Sequence, residues 1–188
     1  MFVKHLFIVC FIGCSLALSA QDIKIEIESR VAVSEVPKKA LEKIKEHFPS
    51  SQAKWYKEES ESGISFEAKF KVKEHLLSIE FGDDGVLQDT EITIKWKELE
   101  PSIQRSLLWY FEDSFDKYKL HKIQLQYTQP LAQVAEHLLS GNSLIPTYEI
   151  EFFGKNESKD LWEGEFNESG EFISKRKIIT KPSDTLQY

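Results

Sequence analysis

Apolar residues recur along this chain with two different periods. Between Val36 and Pro49, the residues Ala40, Leu41, Ile44 and Phe48 fall on one side of a helix. Pro37 suits its first turn and Pro49 stops it. The same spacing returns 67 positions later as Leu107, Leu108, Phe111 and Phe115, in a helix led by Pro101. Each helix carries one apolar stripe, so each needs a sheet beneath it.

The segments that follow alternate with the period of two expected of half-buried strands. Ile64, Phe66, Ala68, Phe70 and Val72 form one series, and Leu77, Ile79 and Phe81 form the next, which runs into the Gly82 to Gly85 turn and a hairpin. After the second helix, Tyr148, Ile150 and Phe152 alternate, then Trp162, Gly164 and Phe166 lead to a turn at Gly170. Sheets open at 53–58 and 119–127 and close at 90–96 and 172–179. The fold class is therefore α+β, a tandem repeat in which each unit packs one helix on a four-stranded antiparallel sheet and leaves the other sheet face free.

This reading divides the chain into a 1–20 export signal, a 21–34 extension, a first unit at 35–98, a second at 99–179 and a tail at 180–188. The second unit carries an insertion at 129–146, where Leu131, Val134, Ala135, Leu138 and Leu139 predict a short extra helix ending near Gly141. Ile23, Ile25 and Ile27 alternate with Lys24, Glu26 and Glu28 as an additional edge strand, its charges blunting the edge.

Residues 1–20 combine an early Lys4, an apolar run from Leu6 to Leu18, and small residues at Ser19 and Ala20, the order of a secretory signal too short to span a bilayer. Cleavage after Ala20 removes both cysteines, Cys10 and Cys14, and leaves about 168 residues with 31 acidic and 23 basic side chains. Disulfide and thiol chemistry then disappear together. The alternative route is lipidation, because Phe11, Ile12, Gly13 and Cys14 loosely match a lipobox. The expected location is periplasmic or secreted, with an outer-membrane lipoprotein anchored through Cys14 as the second possibility. An acidic net charge of −7 offers a nucleic-acid backbone no attraction.

The helix from Val36 to Pro49 that ends in Phe48 and Pro49, the Lys54 and Trp55 strand after it, and the Phe81 to Gly85 hairpin together resemble the PepSY-like, beta-lactamase-inhibitor-protein-like family of exported bacterial proteins. The resemblance covers 35–98 well and 99–179 more weakly. It implies a tandem α+β fold with a protein-binding concave face and no common active site.

Candidate chemistry adds little. No serine sits in a nucleophile elbow, and no His-Glu-x-x-His motif occurs. Glu46 with His47, Glu74 with His75 and Glu136 with His137 are adjacent pairs whose members point apart. The expectation is no catalytic residue, no metal ligand and no cofactor. Trp96 and Trp162 read as core, and Trp109 as partly exposed. The sheet positions out of phase with the core are Glu67, Lys69, Lys71 and Lys95 in the first unit and Glu149, Glu151, Glu163, Glu165, Lys175 and Lys177 in the second, with Tyr56 and Phe153 as apolar anchors. They describe an open face of mixed charge, basic toward the first unit and acidic toward the middle of the second. The expected activity is non-enzymatic binding, and possible inhibition, of another envelope or secreted protein through that face. The alternative is a periplasmic protein that binds a small ligand or a divalent metal.

Overall fold

The computed structural model describes residues 23–60 and 63–180; residues 1–22, where an export signal with Cys10 and Cys14 is expected, and residues 181–188 lie outside them. Nine strands occur among the described residues: β1 (Ile23–Arg30), β2 (Lys54–Ser60), β3 (Gly63–Val72), β4 (His75–Gly82), β5 (Leu87–Ile94), β6 (Lys117–Tyr127), β7 (Thr147–Lys155), β8 (Lys159–Phe166) and β9 (Phe172–Thr180). Helix α1 (Lys38–His47) precedes β2, α2 (Pro101–Ser114) precedes β6, and α3 (Leu131–Ser140) fills the insertion between β6 and β7.

The helix ends follow local chemistry. A short 3-10 turn leads into each of the first two helices, closed once by the Ala32 N–H donating to Glu35 Oε1 at 2.9 Å and once by the Lys95 N–H donating to Glu98 Oε2 at 2.7 Å. Helix α3 ends on Gly141 at φ +81°, the left-handed conformation that glycine adopts without steric cost. Lys73 Nζ donates to the Leu138 carbonyl at 2.7 Å and so satisfies part of the exposed C-terminus of α3. The β4–β5 and β8–β9 hairpins both turn on a glycine at φ +73°, Gly85 and Gly170. A Cβ on Gly85 would lie 2.9 Å from Lys39 Cβ, so the tip presses against the start of α1 too closely for any side chain.

Apolar phases of the strands face the helices in two cores. Ala40 and Ile44 of α1, Phe48 capping its end, and Leu131, Val134 and Ala135 of α3 pack on Trp55, Phe66, Ala68, Leu77, Ile79, Phe81 and Ile92. Ile103, Leu107 and Phe111 of α2 pack on Ile123, Tyr148, Ile150, Phe152, Trp162 and Phe166. No helix among the described residues is long and apolar enough to cross a membrane.

The sheet departs from the expected pair of four-stranded units. β5 pairs antiparallel with β6, joining all the strands into one continuous sheet. β1 then pairs antiparallel with β2 and parallel with β9, closing the sheet into a barrel. The extension is not a charged free edge, because both of its edges are paired. Bulges between Glu80 and Phe81, Leu120 and Lys122, and Glu165 and Phe166 add local twist and bend their strands, which curls the sheet away from its helices. The face expected to be open becomes the inside of the barrel.

The last bulge also changes which side chains face inward on β9. Arg176 lies opposite Glu163 on the inner face, while Lys175 and Lys177 turn outward. Lys175 Nζ sits 4.7 Å from the Phe115 ring and 5.0 Å from the Trp162 ring, and burial pushes its pKa down. Lys177 Nζ lies 2.6 Å from Asp160 Oδ1. Lys95 is likewise not a sheet residue, since β5 ends at Ile94 and Lys95 is an exposed residue capping the turn before α2. Trp162 is in the core as expected. Trp96 belongs to that turn and only flanks the second core, and Trp109 is 81% exposed on α2.

Candidate functional site

Strand alternation that sends apolar side chains to the helices sends polar ones into the barrel. The lumen has a volume of about 250 Å³. Among the described residues its wall carries nine carboxylates: Glu28 from β1, Glu58 from β2, Glu67 from β3, Glu80 from β4, Asp89 and Glu91 from β5, Glu149 and Glu151 from β7, and Glu163 from β8. Lys69, Lys122 and Arg176 oppose them, with His121 on the β6 bulge. Nine acids against three permanent cations give the interior a strong negative field, little screened because Glu67, Glu149 and Glu163 are buried.

Each cation is already held. Lys69 Nζ lies 2.9 Å from Glu28 Oε2, 2.7 Å from Glu67 Oε2 and 4.8 Å from the centre of the Tyr56 ring. Burial works against the Lys69 charge, but Glu67 and Glu28 outweigh it and hold its pKa above the ordinary lysine value. Lys122 Nζ lies 3.3 Å from Glu151 Oε1, and its pKa is also raised, the nearby carboxylates overcoming burial. Arg176 Nε donates to Glu163 Oε1 at 2.5 Å.

Carboxylate oxygens of Glu28, Glu58 and Glu67 lie within 4.8 Å of one another, close enough to share an ion. The Lys69 ammonium is in contact with two of the three. The protein thus supplies its own cation where a divalent ion would otherwise sit.

Asp89 and Glu91 are different. Both face the lumen from β5, and no lysine, arginine or histidine among the described residues forms an ion pair with either. Gln126 Nε2 donates to Asp89 Oδ2 at 3.1 Å, and Gln124 Nε2 donates to Glu91 Oε2. Burial, then repulsion from Glu80 and Glu149, pushes the Asp89 carboxyl up to about 7. Burial, then Asp89 itself, pushes Glu91 up to about 8, against the opposing pull of the Lys122 charge. The two titrate as a pair that resists full ionisation at neutral pH.

Of the residues expected on the free face, Glu67, Lys69, Glu149, Glu151 and Glu163 line the lumen, and Tyr56 lies against Lys69. Phe153 continues the inward phase of β7, with the His121 ring 5.9 Å away and Lys159 Nζ 4.8 Å from its own ring. Glu165 accepts a hydrogen bond from Ser174 Oγ at 2.9 Å, and Lys71 is exposed near the end of β3. Lys95, Lys175 and Lys177 are elsewhere. The lining residues not expected on that face are Glu28, Glu58, Ser78, Glu80, Asp89, Glu91, His121, Lys122, Gln126, Leu161, Arg176 and Ile178. Of these, Ser78 and Glu80 alternate with Leu77, Ile79 and Phe81, and Lys122 and Gln126 with Ile123, Leu125 and Tyr127, so alternation alone marks these four.

Fold and site together define a helix-clad β-barrel with an acidic lumen. No family model matches the chain, and no curated protein is similar to it in sequence. Solved structures do share its architecture. A DUF2874 family protein of Bacteroides ovatus superposes with a TM-score of 0.53 at 11% identity, over 81% of this chain and 92% of that one. A protein of Bacteroides eggerthii, described only provisionally as periplasmic, does so with a TM-score of 0.50 at 13% identity, over 76% of this chain and 88% of the other. A BLIP-like protein of Bacteroides fragilis superposes more loosely, with a TM-score of 0.49 at 14% identity, over 80% of this chain and 91% of that one. At these identities the likeness is one of fold.

Proposed function

We propose that this protein is an exported, non-enzymatic binding module whose ligand site is the barrel lumen, and that the ligand is a small positively charged solute. The observation that carries this reading is the convergence of nine carboxylates on one cavity whose three cations are already paired. A cavity of about 250 Å³ has room for roughly eight water molecules at about 30 Å³ each, so the solute is a small one. The field that attracts it also repels anions of the same size. A thermal-shift screen at low ionic strength should show stabilisation by small cations and none by matched anions such as acetate and phosphate. A flat response to every cation would remove the reading.

A protein partner is the second reading, implied by the family resemblance. The lumen is too narrow to admit a folded partner, so such a partner would bind outside. Trp109 favours this, because it is 81% exposed on α2 and among the described residues makes none of the ring contacts that hold its neighbour Tyr110. Aromatic residues in that position are frequent interface anchors. Crosslinking in envelope extract should yield adducts that Trp109→Ser removes; unchanged adducts would exclude this surface.

A further inference from the structure

We infer that the lumen seats the ammonium group of a small organic amine against Asp89, Glu91 and the carboxamide oxygen of Gln124. This rests on the lumen being the ligand site and adds which wall is used and what chemistry it selects. Two observations lead there independently.

The first is where positive charge is missing. Lys69, Lys122 and Arg176 form ion pairs with Glu28 and Glu67, with Glu151 and with Glu163, while among the described residues Asp89 and Glu91 form no ion pair and hold only carboxamide N–H groups, with the Lys122 charge reaching Glu91 from beyond ion-pair distance. The second is Gln124. It is 1% exposed, it reaches the lumen carboxylate of Glu91 through Nε2, and its Oε1 has no hydrogen-bond partner among the described residues. A buried acceptor without a donor costs about 1 to 3 kcal/mol, so a molecule that brings a donor is favoured there.

An ammonium group fits this wall because it carries three N–H donors and no acceptor, against two carboxylates and one amide oxygen. A bare metal ion fits less well. Calcium takes six to eight oxygens, and the carboxylate trio that could share an ion is Glu28, Glu58 and Glu67, where the Lys69 ammonium stands. Lys69 shows the same recognition in the same cavity: a primary ammonium on two carboxylates beside an aromatic ring.

Calorimetry with butylamine, 1,4-diaminobutane and, separately, calcium chloride tests this on the purified protein at pH 8, with 1-butanol as the uncharged counterpart. The expected result is saturable binding of the amines, none of 1-butanol, and at least a tenfold loss of amine affinity in Asp89→Asn/Glu91→Gln and in Gln124→Met. Circular dichroism of each variant establishes that it is folded. Binding of calcium without binding of amines would overturn the amine assignment and leave the lumen reading standing. Amine binding that survives Asp89→Asn/Glu91→Gln, or is lost only on Glu58→Gln, would place the site elsewhere in the lumen and overturn the assignment. No binding of any cation would overturn both.

Discussion

Phe111→Ala should destabilise the protein by about 3 to 5 kcal/mol, the cost of emptying a buried aromatic site that cannot collapse. Phe111 is fully buried, and its ring lies 4.8 Å from Phe152, 5.1 Å from Tyr118 and 5.8 Å from Phe166. It therefore joins α2 to β6, β7 and β8 at one point, and truncation removes all three contacts. Over a chain of this size the loss corresponds to roughly 6 to 20 °C in Tm. Trp109→Ala, two positions earlier on the same helix, should change stability by less than about 0.5 kcal/mol, because Trp109 is 81% exposed. Equal Tm losses in the two variants would mean that α2 is rotated from the orientation described.

Stability should also fall as pH rises from 4 to 8 on account of Asp89 and Glu91. Their ordinary pKa values, 3.8 and 4.5, apply to the unfolded chain, and in the barrel they are pushed up to about 7 and about 8. A raised carboxyl means that the folded state binds more protons than the unfolded one between those limits. The contribution is thus fully present below pH 4, declines as pH climbs, and is lost once both groups ionise above pH 8. Each pKa unit is worth about 1.4 kcal/mol, but the two groups titrate together, so the total is on the order of 2 to 4 kcal/mol rather than a simple sum. Asp89→Asn/Glu91→Gln preserves shape and removes both charges. Its melting temperature should exceed that of the unaltered protein by roughly 4 to 16 °C at pH 9, with the gap closing at pH 4. A gap independent of pH would show that the carboxyls are not the cause.

Phe111 packs against the outer face of the sheet, and Asp89 and Glu91 line its inner face. Outside, apolar phases meet helices and supply stability; inside, carboxylates are held together at a cost that grows with their ionisation. A cation entering the lumen relieves that cost. Ligand binding and stability at neutral pH are consequently linked, and an amine should stabilise the unaltered protein more at pH 8 than at pH 5.

Much of this architecture is legible along the chain because it depends on local pattern. Helical spacing at Ala40, Ile44 and Phe48, and again at Leu107, Phe111 and Phe115, locates α1 and α2, and Gly141 marks the end of α3. Period-two alternation locates the strands and identifies their polar phase, including Glu67, Lys69, Glu149 and Glu163. The chain therefore determines which residues share a face. It does not determine how that face is bent, since bending depends on bulges that shift register between strands distant in sequence, as at Glu165 and Phe166, where the shift sends Arg176 inward and Lys175 outward. Only the tertiary structure pairs β1 with β9, closes the sheet, and converts a face that alternation presents as open into a lumen. Pairing of β1 with β2, and of β2 with β3, also brings Glu28 to within ion-pair distance of Lys69, 41 positions away. Proximity between distant segments is a property of the closed barrel, and local periodicity carries no record of it.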